Sequence, residues 1–377
     1  MEQHYVFSAP GRTEIGGNHT DHQHGCVLAA AVNLETVADV TLNGTDKIWV
    51  QSEGYPVIKV DLKDLAVREE EKNTTAALIR GVAAAFTQRG AKIQGFDAVV
   101  KSNVLPGSGL SSSAAFEVLM GTICNELFFE GKLSAVEIAQ IGQYAENVYF
   151  GKPCGLMDQT ASSVGSMVFI DFEDPAQPKV EKICFDLAEA GYALCIIDSG
   201  ADHADLTDEY AAIPAEMKQV CAYFGKEVLR QIPRNEFMKA LPELRKTVPD
   251  RAVLRAMHIY QENDRVMKQV QSLRNSNVDG FLNLVKESGR SSWMYLQNIT
   301  PAGAIAHQEV AVTLALCDAL LQDKGAYRVH GGGFAGTVQA FVPLESLDEF
   351  QTSIEEVLGT GACHILNIRE LGGTRVQ

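Results

Sequence analysis

The sequence is short of positive charge: 32 lysines and arginines face 48 aspartates and glutamates, a formal charge of −16 over 377 residues. Such a chain repels phosphate backbones and anionic headgroups, so nucleic acid and membrane surfaces are poor partners, and any bound anion needs a locally arranged site. Also missing is the run of roughly 18 apolar residues that spans a bilayer. The nearest stretch, read as a helix from about Ala304 to Leu321, is interrupted by Glu309 and Asp318 and belongs to a core. The eight cysteines stand singly, without a C-x-x-C pair, and the opening MEQHYVFSAPGR lacks a basic-then-apolar leader, so reduced thiols and a cytoplasmic location are expected. Proline-rich linkers, low-complexity tracts and internal repeats are absent as well.

What is present is an ordinary globular composition, 46% hydrophobic and 21% charged, in a chain long enough to favour two domains over one. Strand-like runs fill the first half: Tyr5 to Ala9, Val37 to Leu42, Lys47 to Gln51, Val57 to Val60, Phe96 to Lys101 and Met167 to Asp171. From Ser113, the residues Phe116, Leu119, Met120, Ile123, Cys124 and Leu127 trace a one-faced helical stripe. Ser134 with Glu137 is a capping box opening a second helix that ends near Gly151 and Pro153. After Tyr192 to Ile197 helices dominate, over 209–224, 253–273, 278–287 and 304–321, and strands return at Thr337 to Val342 and His364 to Glu370. The expected fold is therefore α+β, with a mixed-sheet domain over 1–190 and a helix-rich domain with a small antiparallel sheet over 191–377, the last strand free to return to the first domain.

Two glycine-rich segments and one histidine-rich segment carry the chemistry. VLPGSGLSSSAAFEVLMG, 104–121, sets glycines and serines between a strand and a helix, where converging N–H groups and a helix N-terminus suit an anion such as a triphosphate. It is not a Walker A loop, and a serine-rich N-cap with tight packing is the structural alternative. HGGGFAG, 330–336, fits G-x-G-x-x-G, but the strand-like TVQAFVP that follows offers no helix to a pyrophosphate. Its glycines instead allow a turn to approach a ligand or another segment closely. NHTDHQHG, 18–25, packs three histidines and an aspartate into eight positions. Zinc is one reading, weakened because His22 and His24 would face away from His19 and Asp21 on a strand. A sugar explains the density better, since a carboxylate, an imidazole and an amide together discriminate among hydroxyls.

APGR…HTD, PGSGLSSSAA and GGGFAG stand in one order, and together with AENVYFGKPCGLMDQTAS, DEY at 208–210 and CAYFGKEVLR at 221–230 they resemble the GHMP small-molecule kinase superfamily and, within it, the galactokinases. The likeness spans essentially the whole chain and implies a two-domain kinase with its active site in the cleft. By it, Asp158 is the catalytic aspartate and Arg12 its transition-state partner. Gly107, Ser108, Gly109, Leu110, Ser111, Ser112 and Ser113, with Gly332 and Gly333, cradle the ATP phosphates, and Ser113 and Glu146 hold Mg²⁺. Asn18, His19, Thr20, Asp21, Gly155 and Tyr210 bind the sugar. Without the likeness, Asp158 reads as a helix N-cap and Glu146 as a solvated surface carboxylate. The implied reaction is transfer of the ATP γ-phosphate to the anomeric hydroxyl of galactose by a monomer or weak homo-oligomer, the alternatives being a kinase for galacturonate or another galacto-configured sugar, or a silent sugar and ATP sensor. Departures from the family fall at Asn18, where glutamate that looks toward the C6 hydroxyl is usual, at His22 for tyrosine, and at Glu14-Ile15-Gly16 for Asn-Leu-Ile.

Overall fold

A computed structural model describes residues 4–104, 109–201 and 206–377. Among the described residues twelve strands run in chain order: β1 (His4–Gly16), β2 (Cys26–Leu42), β3 (Lys47–Ser52), β4 (Ile58–Asp61), β5 (Phe96–Ser102), β6 (Met167–Asp171), β7 (Lys179–Ile183), β8 (Tyr192–Asp198), β9 (Ala326–Val329), β10 (Thr337–Pro343), β11 (Cys363–Leu366) and β12 (Thr374–Arg375). The helices are α1 (Thr75–Gln88), α2 (Ser112–Phe128), α3 (Ala135–Tyr144), α4 (Met157–Val164), α5 (Thr207–Tyr223), α6 (Arg234–Leu244), α7 (Asp250–Arg274), α8 (Val278–Ser291), α9 (Glu309–Leu321) and α10 (Leu347–Leu358).

The strands form two sheets. The larger has the order β12-β1-β2-β5-β3-β4, with β6 on β2 and β7 on β6; the β3–β5 pair is parallel and the rest antiparallel, so this sheet is mixed. The smaller, β11-β8-β10-β9, is wholly antiparallel. The strand β2 is long enough to hold β5 and β6 end to end along one edge while β1 covers the other. That span ties the histidine-rich loop at one end of β2 to the rest of the sheet. β12, from the far end of the chain, returns to pair with β1.

One core lies between the larger sheet and α1 to α3, around Phe7, Val40, Ile79, Phe86 and Leu119. A second joins the larger sheet to the small sheet and to α7 and α8 through Ile15, Leu28, Ile196, Val266, Phe281 and Phe341. Each such buried side chain contributes on the order of 1.5–3 kcal/mol, so the two sheets share one continuous hydrophobic attachment rather than a wet seam.

Three expectations change. The one-faced stripe of α2 is in fact buried all round from Ala114 to Asn125, because its small residues admit neighbours on the second face: a Cβ on Gly121 would meet Ile138 at 2.7 Å. The apolar stretch from Ala304 is helical only over Glu309–Leu321, and among the described residues no helix is long and apolar enough to cross a membrane. The strand expected over His364 to Glu370 is β11, which stops at Leu366, after which Ile368 makes a single bridge to Val32. By contrast, the capping box at Ser134 and Glu137 forms as expected, with both reciprocal bonds present.

Candidate active site

The site begins where β1 meets the start of α2. Arg12 on β1 is buried, and its guanidinium grips the Asp158 carboxylate with two bonds, Nε to Oδ1 at 2.8 Å and Nη2 to Oδ2 at 2.7 Å, while Nη1 donates to the Gly109 carbonyl. The backbone is fixed too, since the Arg12 N–H donates to the Leu110 carbonyl at 3.0 Å. Asp158 is the second residue of α4, not its N-cap; Leu156 takes that place and Asp158 makes no capping bond. Its other partner is the Ser111 hydroxyl, which donates to Oδ2. Burial pushes this carboxyl up, but the Arg12 charge, the Arg12 hydrogen bonds and Ser111 outweigh it and hold Asp158 below the ordinary carboxylate range. With its side chain 34% exposed, the ionised carboxylate still reaches the cavity.

Around that pair lies a cavity of about 220 Å³ lined by Gly109, Ser111, Ser112, Ser113, Glu146, Lys152, Cys154 and Asp158. Ser111 caps α2 in a left-handed conformation (φ 56°) and Gly109 is left-handed as well (φ 72°), so the chain turns sharply and Ser111, Ser112 and Ser113 at the start of α2 line the cavity. Leu110 contributes backbone only, its side chain lying in the core. Gly107 and Ser108 lie outside the described residues. Glu146 sits in a π-helical turn, Ala145–Phe150, that continues α3. Far from being a solvated surface group, its side chain is 6% exposed and pushed upward in pKa chiefly by burial.

Ser113 and Glu146 thus share one cavity wall, and a hydroxyl with one carboxylate fits Mg²⁺, which keeps most of its shell for water and phosphate oxygens. Behind Glu146 lie two residues that the sequence argument missed. Gln159 donates from Nε2 to Glu146 Oε2 and to Glu117 Oε2, each at 2.9 Å, and Glu117 is fully buried. A glutamate set among the apolar positions of a core helix was the available signal. Ser112 and Ser113 also line a neighbouring cavity of about 770 Å³ with Asn73, Thr74, Val100 and Phe150, next to the start of α1.

The histidine-rich loop, 18–25, is divided by the fold. A Cβ on Gly155 would fall 2.0 Å from Asp21 Oδ2, so glycine is what lets the 155 backbone lie against that carboxylate. His19, left-handed at φ 60°, has its ring Nε2 3.1 Å from the Gly332 carbonyl; burial and the neighbouring His22 lower it to about 4, so at pH 7 it is a neutral ring donating to that carbonyl. Tyr210 donates to the Gly333 carbonyl at 2.8 Å and stacks edge-on with Phe334.

Asn18 and Thr20 do not join this set. Asn18 is fully buried: its Nδ2 donates to Glu14 Oε1 at 3.1 Å and the Gly331 carbonyl at 2.7 Å, and its Oδ1 accepts from Asn298 Nδ2 at 2.9 Å. The expectation that Asn18 lines the sugar is therefore corrected, because every polar atom of its side chain is committed inside the protein. Glu14, beside it, is paired with the buried Arg328. Thr20 is likewise buried, its hydroxyl within 2.8 and 2.6 Å of the Gly17 and Cys26 carbonyls, closing the turn.

Gly332 and Gly333 are placed against this same loop. Cβ atoms there would strike Tyr210 at 2.7 Å and the Asn298 carbonyl at 2.1 Å, and both glycine carbonyls are taken by His19, Asn298 and Tyr210. The close approach is to another chain segment, and neither glycine lines the serine-rich cavity beside Asp158 where the phosphates were expected. His22 and His24 do not converge with His19: the His19 and His22 rings are 6.5 Å apart, and among the described residues no group of three His, Cys, Asp or Glu side chains is placed to hold a metal ion.

A mixed sheet packed on a smaller antiparallel one, with a serine-rich helix start facing a helix-borne aspartate held by arginine, defines a GHMP-type small-molecule kinase. The GHMP kinases N terminal domain matches residues 77–166, and the galactokinase galactose-binding signature matches residues 1–41. Galactokinase of Mannheimia succiniciproducens is 30% identical over 92% of this chain and 88% of its own length, and that of Glaesserella parasuis is 31% identical over 94% and 91%. The solved galactokinase of Lactococcus lactis, complexed with galactose, superposes with a TM-score of 0.83 at 25% identity over 99% of this chain and 95% of its own. This chain belongs to the galactokinase family.

Proposed function

We propose that this chain transfers the γ-phosphate of ATP to the anomeric hydroxyl of galactose, giving galactose 1-phosphate and ADP. The observation that carries the mechanism is the Arg12–Asp158–Ser111 cluster opening into the serine-lined cavity. Asp158, ionised and held low, is a weak base at rest. Its task is to accept a hydrogen bond from the sugar hydroxyl, aim the oxygen, and take the proton as the new bond to phosphorus forms and that hydroxyl turns acidic. Arg12 fixes the carboxylate and lends positive charge where phosphoryl oxygens gather negative charge.

Ser112, Ser113 and the α2 N-terminus suit the phosphates, and the larger neighbouring cavity, which shares Ser112 and Ser113 in its lining, suits adenosine. Ser113 and Glu146 would hold Mg²⁺, which supplies charge neutralisation on the triphosphate. Asp21, the 155 backbone, His19 and Tyr210 form the sugar side. The proposed division into two domains near residue 190 fits the small sheet beginning at Tyr192. The galacturonate alternative drew on an amide facing C6, and Asn18 is not available for that.

Coupled ADP release with galactose, galacturonate, N-acetylgalactosamine and glucose, followed by NMR of the product, tests this reading. Galactose should be turned over many-fold faster than the others with phosphate on C1. Faster turnover of galacturonate, or phosphate at another carbon, refutes it.

A further inference from the structure

The phosphate cavity is poor in free positive charge. Asp158 and Glu146 line it and Glu117 lies buried behind, while Arg12 directs three of its five N–H donors to Asp158 and the Gly109 carbonyl. A triphosphate brought to this wall meets carboxyl groups at short range, where like charges repel. Among the described residues lining the cavity, Lys152 is the one cation.

Its placement suits a mobile counter-charge. The Lys152 N–H donates to the Glu146 carbonyl at 3.2 Å in the turn where Gly151 is left-handed (φ 85°), so the root of the side chain is fixed at the cavity rim. The ammonium is not fixed: it stands 3.9 Å from Glu146 Oε1 with 65% of its side chain exposed. An ion pair so long and so solvated is worth little. It is easily exchanged for the denser charge of a phosphoryl group.

We propose that Lys152 is a catalytic residue that contacts the γ-phosphoryl oxygens, a role resting on the kinase reading above. The bond from the sugar oxygen to γ-phosphorus forms as the bond from γ-phosphorus to the bridging oxygen breaks, the electron pair leaving with ADP and the hydroxyl proton passing to Asp158. Lys152 keeps its proton throughout and offsets charge on the oxygens in transit, as a point charge rather than a bidentate fork.

The test is Lys152→Ala and Lys152→Arg in the full chain, read by steady-state kinetics and by calorimetric binding of ATP and ADP. Lys152→Ala should lower kcat at least tenfold, weaken ATP several-fold while leaving ADP nearly unchanged, and leave the galactose KM in place; Lys152→Arg should recover much of the ATP preference. An unchanged ATP-to-ADP affinity ratio in Lys152→Ala overturns the proposal, even if turnover falls, because that pattern means Lys152 acts only through Glu146. Matching thermal melts secure the comparison, as expected for so exposed a side chain. If the unaltered protein phosphorylates no galactose, the proposed function fails, while the nucleotide ratio still decides the case of Lys152.

Discussion

Replacing Asn18 by the glutamate usual in the family is the sharpest test of how this site is built. In the structure Asn18 Nδ2 lies 3.1 Å from Glu14 Oε1, inside a pocket with no solvent exposure at Asn18 and little at Glu14. Asn18→Glu removes that donor and sets two carboxylates against each other. At an effective dielectric of about 20, like charges at this separation repel by about 5 kcal/mol. The Gly331 carbonyl also loses its donor, leaving a buried acceptor unmet at a further cost of about 1–3 kcal/mol. Protonation of one carboxyl relieves part of this, so a net loss of about 3–5 kcal/mol is expected, a large share of the stability of an ordinary domain.

Urea unfolding at pH 7 reads it as a strongly lowered midpoint. The double variant Glu14→Asn/Asn18→Glu restores one carboxylate and one amide at adjacent positions, and it should be more stable than Asn18→Glu alone, with a coupling energy of about 1–3 kcal/mol. An Asn18→Glu protein as stable as the parent, or a double variant less stable than Asn18→Glu, refutes the claim that Asn18 is a buried connector to Glu14.

Other outcomes follow from the same geometry. Asp158→Asn keeps the size and one acceptor but loses the base and the ion pair with Arg12, and steady-state assays should find kcat lowered on the order of 100-fold or more with a small change in galactose KM. Gly155→Ala forces Asp21 away from its present place, since the new Cβ would stand 2.0 Å from Oδ2; an increase in galactose KM of about tenfold or more is expected, with ATP KM unaltered. His19 has a folded value near 4 against an ordinary 6.5, so its contribution to stability is complete above pH 6.5 and is lost as pH falls toward 4. Denaturation at stepped pH should show this decline, shared with the burial-lowered His258 and His330, and His19→Asn should flatten it in part.

Much of the fold was legible because the signals are local. The alternation that marks β3 and β5, the capping box of α3, and the glycines and serines before α2 each act within a few residues. Short elements were harder. β7, β9, α4 and α6 have too few periods to announce themselves, and α9 begins only at Glu309 although the apolar pattern starts earlier. For the site, the family motifs located Arg12, Asp158, Glu146 and the serines, but motif membership did not say which member faces a ligand. Asn18 sits between His19 and the glycines in sequence and yet points into the protein, and Thr20 does the same.

The sequence by itself determined the alternation of strand and helix, the glycines that permit left-handed turns, and the family chemistry, since these depend on neighbours along the chain. Only the tertiary structure decided which polar groups meet: that Ser111 serves Asp158, that Gln159 joins Glu117 to Glu146, that Arg328 from the small sheet neutralises Glu14 on β1, and that Gly332 and Gly333 yield to Tyr210 and Asn298. Those contacts join residues from 13 to 314 positions apart, and hydrogen bonds and charges act through a few ångströms of space, a distance that spacing along a chain does not encode.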